Sequence, residues 1–140
     1  MLLDVNVLLA ITWTNHQHHA VARRWFDKQR RKGWATCAVT ELGFIRLSSN
    51  PAFTKEAASP AEACDVLTRL RHLGKHRFLP CDLSPSELGA AWRQTMGYRQ
   101  TTDVYLALLA QHHGVQLATL DRKLLAHPGL KDAARLIEVG

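Results

Sequence analysis

Much that would mark a special class of protein is missing from this 140-residue chain. There is no low-complexity tract, internal repeat or Pro/Gly/Ser-rich linker, so residues 1–140 read as a single domain. No apolar run approaches the roughly 20 residues of a membrane-spanning helix. The apolar start lacks the basic region of a signal peptide, so no membrane association is expected. The three cysteines, Cys37, Cys64 and Cys81, are odd in number and widely spaced, with no CxxC pair. That excludes a disulfide framework, and they read as small core residues in a reducing cytoplasm. No Gly-rich phosphate loop and no Ser-His-Asp order stands out. Acidic residues are the scarcer charge, 12 against 18 Lys and Arg, leaving a formal +6. Such a surplus favours an anionic partner such as nucleic acid. It also makes the position of each acid informative.

The organising stretch is Met1-Leu2-Leu3-Asp4-Val5-Asn6, running on through Val7 to Ile11. A run this apolar reads as a strand buried on both faces, with Asp4 and Asn6 set into it. An ionised carboxylate there is costly unless it is paired or reaches a strand end facing a site. Asp4 is therefore expected to close a central parallel strand and to belong to an active site, with no helix-cap explanation for it.

Further along, Asn15 to Gly33 reads as an amphipathic helix, with Ala22, Trp25 and Phe26 on one stripe and Arg23, Arg24, Lys28, Arg30, Arg31 and Lys32 on the other. That basic stripe is most simply a solvated face. Trp34 to Thr40 reads as a strand, and Glu41 opens the next helix. Ser59-Pro60-Ala61-Glu62 and Ser84-Pro85-Ser86-Glu87 both carry the capping-box pattern with Pro at the first helical position. The first predicts a helix to about Gly74 with Cys64, Leu67 and Leu70 inward. The second predicts one through Met96. Arg77 to Leu83 reads as a strand, at a sheet edge because of Pro80. Val104 to His113 is a buried helix, Val115 to Asp121 a strand, and Ala134 to Val139 a last strand. Strands alternating with helices imply an α/β sandwich with a mainly parallel sheet.

Ligands bind outside the carboxyl ends of the strands of such a sheet, where strand order reverses. Asp4, Glu41 and Asp121 fall at those ends. Asp103 starts the helix before the Asp121 strand; it is expected to miss that edge if the helix simply runs antiparallel, and to need a helix lying across the sheet end or beginning beside the site. Taken singly, Glu41, Asp103 and Asp121 also fit first-turn or cap acids. Together they suggest a carboxylate cluster, which needs protons or cations to neutralise it. Oxygen ligands select Mg²⁺ or Mn²⁺ over zinc.

Leu2-Leu3-Asp4-Val5-Asn6-Val7-Leu8-Leu9, the Thr40-Glu41 pair, Asp103-Val104-Tyr105-Leu106-Ala107 and Leu117-Ala118-Thr119-Leu120-Asp121-Arg122 resemble the acidic motifs of PIN-domain nucleases. The short form, with its segment His19 to Phe26, is similar to the VapC-type toxins of type II toxin–antitoxin pairs. The resemblance implies a three-layer α/β/α PIN-like fold with a central, mainly parallel sheet. It implies a metal-dependent endoribonuclease in which Asp4, Glu41, Asp103 and Asp121 are catalytic and hold Mg²⁺ or Mn²⁺. Asp4 and Asp103 would stand closest to the metal, with Glu41 and Asp121 nearby or acting through water. Asn6 and Thr119 would orient those acids. Arg122 and Lys123 are candidates for contact with the RNA strand. Implied partners are an RNA substrate, a cognate antitoxin whose Arg reaches the acids, and a second copy in a homodimer. The alternatives are a housekeeping PIN nuclease in RNA maturation and a module that binds RNA without cutting it. His16, His18 and His19 read as a helix-start cluster rather than a metal site, and His112-His113 as a helix C-terminus.

Overall fold

The computed structural model describes residues 1–139. Among these, five short strands form one sheet: β1 (Leu2–Leu3), β2 (Trp34–Cys37), β3 (His76–Leu79), β4 (Leu117–Thr119) and β5 (Ala134–Leu136). The strand order is β3-β2-β1-β4-β5, and every neighbouring pair is parallel. The order reverses at β1, which places the switch point between β1 and β4. β1 is the central strand, as its apolar sequence requires, and β3 is an edge strand that ends just before Pro80. The helices are α1 (Val5–Thr12), α2 (His19–Lys32), α3 (Ala38–Ser48), α4 (Pro60–Leu70), α5 (Gly89–Arg93) and α6 (Thr101–His112).

Alternation along the strands divides the core in two. Leu2, Ala35, Cys37 and Leu117 face α6 and the turns around it. Leu3, Trp34 and Ala118 face the layer of α1 to α4. The result is three layers, α/β/α. Trp34 anchors the second core: its ring meets Phe26 edge-on at 5.1 Å, and its indole N–H donates to the Leu73 carbonyl at 2.7 Å. Burying side chains of this size contributes about 1.5–3 kcal/mol each, so the two cores hold the sheet from both sides.

The opening stretch departs from expectation. Only Leu2 and Leu3 are strand; from Val5 the chain is helix, and Val7 to Ile11 are all buried. A continuous apolar run does not distinguish a buried strand from a buried helix, and here it is both in succession. Asp4 makes the switch. Its backbone is extended, and its side chain accepts the Val5 N–H as the N-cap of α1. The expectation that Asp4 has no capping role is thus overturned.

Two other expectations fail. Cys64 and Cys81 are exposed and only Cys37 is buried, because α4 turns Ala63, Leu67 and Leu70 inward instead. Ser59 and Glu62 do close a capping box, but Ser84 does not. The Ser84 hydroxyl pairs with Ser86 at 2.8 Å, the chain makes a 3₁₀ turn over Pro85–Glu87, and helix resumes only at Gly89. Met96 is left outside.

Helix α3 approaches α1 at Gly43. A Cβ there would lie 2.7 Å from Cγ2 of Val5, a branched side chain with little freedom to yield. We predict that Gly43→Ala loses about 1–3 kcal/mol by overcrowding, outweighing the gain in helix propensity of up to about 1 kcal/mol. The urea midpoint should fall without a change in slope.

Candidate active site

Four acids begin helical turns at the carboxyl edge of the sheet. Asp4 caps α1, Asp121 caps the 3₁₀ turn Arg122–Ala126, and Glu41 and Asp103 lie in the first turns of α3 and α6. Each faces the positive end of its helical turn. Asp103 reaches the edge without any special placement of α6, contrary to expectation. A helix antiparallel to the strands starts at their carboxyl ends, and α6 runs that way: its far end turns directly into β4 through the Val115 N–H to Ala110 carbonyl bond.

Asp4 is almost wholly buried, and both of its oxygens are engaged. Oδ1 accepts from the Val5 N–H at 2.7 Å, and Oδ2 accepts from the Thr119 hydroxyl at 2.9 Å. Thr119 Oγ1 in turn accepts the Asp121 N–H at 3.0 Å, and Asp121 Oδ1 accepts the Lys123 N–H at 2.9 Å. Thr119 therefore ties the end of β1 to the end of β4, orienting the Asp4 carboxylate and anchoring the Asp121 backbone.

Asp4, Asp103 and Asp121 feel one another's charge. Burial pushes the Asp103 pKa up to about 7, helped by the charges of Asp4 and Asp121. Burial also raises the Asp4 pKa, against the Thr119 and Val5 hydrogen bonds and with the repulsion of Asp121. Among the described residues no Lys, Arg or His forms an ion pair with any of the three. Partly buried, repelling and without a paired cationic side chain, this oxygen-only set fits a hard divalent cation.

Glu41 is held differently. Its Oε2 accepts from the Thr36 hydroxyl at 2.5 Å, and its Oε1 lies 3.5 Å from Arg71 Nη1. Thr36 Oγ1 also contacts His76 Nε2 at 2.8 Å, and the Arg71 guanidinium stands 5.4 Å above the Phe78 ring. Burial, with the Arg71 charge, lowers the His76 pKa to about 4, so this imidazole is neutral near pH 7. The sequence gives no sign of Arg71 as Glu41's partner, because the pair spans 30 residues. Thr36, five residues before Glu41 on β2, is the more findable member.

The remaining candidates lie outside this network. Asn6 is exposed in the first turn of α1, with no side-chain hydrogen bond among the described residues. Arg122 and Lys123 are exposed beside Asp121, with Arg122 reaching Glu138 at 3.4 Å. His16 accepts the His18 N–H, and His19 pairs with the Ala10 carbonyl, a helix-start arrangement as expected. An apolar cleft lined by Val39, Pro85, Trp92, Thr101, Thr102 and Tyr105 opens beside the start of α6. At the C-terminus of the same helix, Asp82, His112 and His113 form a second group able to hold a metal.

The PIN-domain profile matches residues 1–130. The chain belongs to the PIN-domain family. Within the family it stands with the VapC proteins. It is 47% identical over 120 residues to ribonuclease VapC38 of Mycobacterium tuberculosis, covering 86% of this chain and 84% of that one. Ribonuclease VapC39 of the same organism is 42% identical over 125 residues, covering 88% and 89%. Ribonuclease VapC44, also from Mycobacterium tuberculosis, is 40% identical over 131 residues, covering 91% and 92%. The four acids of this PIN domain are thus part of a fold shared along nearly the whole chain.

Because folded Asp103 holds its proton more tightly than an unfolded Asp, with a pKa near 3.9, deprotonation works against folding. In chelator, stability should be greatest below about pH 4 as far as Asp103 is concerned, and its contribution should decline as pH rises to about 7. Asp103→Asn should flatten that decline and melt higher than the parent at pH 8. Thermal melts of both proteins in EDTA across this range check the sign.

Proposed function

We propose that this chain is a Mg²⁺- or Mn²⁺-dependent endoribonuclease, the toxin of a VapBC-type pair that cleaves cellular RNA and inhibits growth. The observation that carries this reading is the trio of Asp4, Asp103 and Asp121 at the switch point of the sheet, Asp4 buried and the other two partly buried, with no cationic side chain paired to any of them among the described residues. Its VapC relatives bear the name ribonuclease. Asp4, Asp103 and Asp121 would hold the metal, with Glu41 supplying a further carboxylate from α3. Bound there, such an ion lowers the pKa of water and stabilises charge at a phosphodiester.

The protein's own part is positional. Thr119 holds the Asp4 carboxylate against the Asp121 backbone, and Arg71 with Thr36 fixes Glu41. Arg122 and Lys123, exposed beside Asp121, would hold an RNA phosphate. The formal +6 draws the polyanion in, so cleavage should weaken as salt rises. A cognate antitoxin would keep the toxin inactive by occupying the acidic edge, with an Arg supplying the cationic partner that the three aspartates lack among the described residues. The homodimer and a cytoplasmic setting belong to the same proposal.

Asp4→Asn is the decisive variant, because Asn caps a helix about as well as Asp and the fold should survive. Its cleavage of RNA in Mn²⁺ should fall by a factor on the order of 10²–10⁴, while circular dichroism stays native. EDTA should silence the wild type. Undiminished cleavage by Asp4→Asn would overturn the proposal. Thr119→Val, which keeps all four carboxylates but unties Asp4 Oδ2 and the Asp121 N–H, should lose about 10–100-fold in initial rate.

A further inference from the structure

Asp103 and His112 stand nine positions apart on α6, about 13 Å along its axis. The far end of the helix is therefore separate from the acidic edge. His112 is the last residue of α6 and His113 its C-cap, and both imidazoles turn toward Asp82 in the segment that leaves β3. A single carboxylate oxygen, Asp82 Oδ1, lies 2.8 Å from His113 Nε2 and 3.5 Å from His112 Nε2. The three atoms all fall within 4.8 Å of one another.

Donors at about 2.1 Å from a tetrahedral zinc ion are about 3.4 Å apart. The two measured spacings bracket that value. Asp82 and His112 are half exposed and free to make the small rotation that closes the third side, whereas His113 is more enclosed and fixes the position. Two imidazole nitrogens with one carboxylate oxygen suit zinc and disfavour Mg²⁺, which takes oxygen ligands. The Pro80 carbonyl, 3.0 Å from His113 Nε2, adds negative potential, as does the helix C-terminus. The nearby cation, Arg77, donates to the His113 carbonyl at 3.4 Å and leaves the Asp82 carboxylate to the two imidazoles.

We propose that Asp82, His112 and His113 form a zinc-binding site distinct from the acidic centre. Three protein donors leave the fourth position to water. The site bridges two parts of the chain: it fastens the segment after β3 to α6, beside the bond from the Tyr105 hydroxyl to the Leu83 carbonyl at 2.8 Å. Zinc there braces the helix that carries Asp103 at its other end.

The full-length chain, stripped with chelator and desalted, is titrated with ZnCl₂ by calorimetry in excess Mg²⁺, so that the acids are occupied. Co²⁺ serves as a spectroscopic probe in a parallel titration. The expected result is one equivalent of zinc, a rise in melting temperature on binding, and tetrahedral Co²⁺ absorption. His112→Ala should weaken zinc binding about 10-fold or more and abolish that absorption, whereas Asp4→Asn should leave both intact. Asp82→Asn, close to isosteric, repeats the test without changing an imidazole. The proposal is overturned if the wild type takes up no zinc, if binding survives both His112→Ala and Asp82→Asn, or if Asp4→Asn is the variant that loses it.

Discussion

Carboxylates brought together inside a protein repel one another and lose their hydration, and this molecule is arranged around that cost. Asp4, Asp103 and Asp121 share one edge of the sheet, where burial and mutual repulsion lift the Asp103 pKa to about 7. The offset comes from backbone dipoles and hydroxyls. Asp4 receives the first N–H of α1, Asp121 receives the Lys123 N–H, and Asp103 sits in the first turn of α6. Helix N-termini carry a partial positive charge that favours an anion by roughly 0.3–1 kcal/mol each. Those contributions lessen the repulsion without cancelling it, and the remainder favours a cation.

The parallel topology brings these helix starts to one place. Each strand must return by a crossover, and a right-handed crossover helix begins at the carboxyl end it has just left. With β1 at the centre, the ends of β1 and β4 are neighbours, and Thr119 can reach Asp4 across 115 residues of sequence. That hydroxyl is the cross-link between the halves of the site. It binds the Asp4 carboxylate and the Asp121 N–H, so strand pairing holds Asp4 close to the turn that carries Asp121.

Elements and acids were legible in the sequence to different depths. The parallel α/β plan followed from the alternation of segments, and the central place of β1 from its apolar neighbours. The length of β1 was not legible, because a helix buried all round has the same composition as a buried strand. Asp4 carries the lesson: its capping role and its place among the acids are one arrangement, since a cap residue at a strand end points its carboxylate at the site. The same holds for Asp121. Capping and clustering of the acids are not rival readings, because the structure has both at once. Asp103 was misjudged by direction alone, because an antiparallel helix starts where the strands finish. Arg71 and His76, which hold Glu41 through an ion pair and through Thr36, come from α4 and β3; no local pattern announces contacts of that range.

Glu41 differs from the other acids in a way that bears on its role. Asp4 and Asp121 accept from neutral donors, and among the described residues neither has a basic side chain paired to it. Glu41 shares its charge with the Arg71 guanidinium, which is 39% exposed and stacked over a half-exposed Phe78. An exposed ion pair of this length is weak, worth about 0–1 kcal/mol. An anion arriving at this edge would compete with Glu41 for Arg71, and would leave the carboxylate to the Thr36 hydroxyl. Thr36 still holds Oε2 when Arg71 is drawn off, so Glu41 keeps one tether, whereas Asp4, almost fully buried, is bonded on both oxygens. Glu41 is thus the acid of the four that already has a basic side chain beside it, among the described residues.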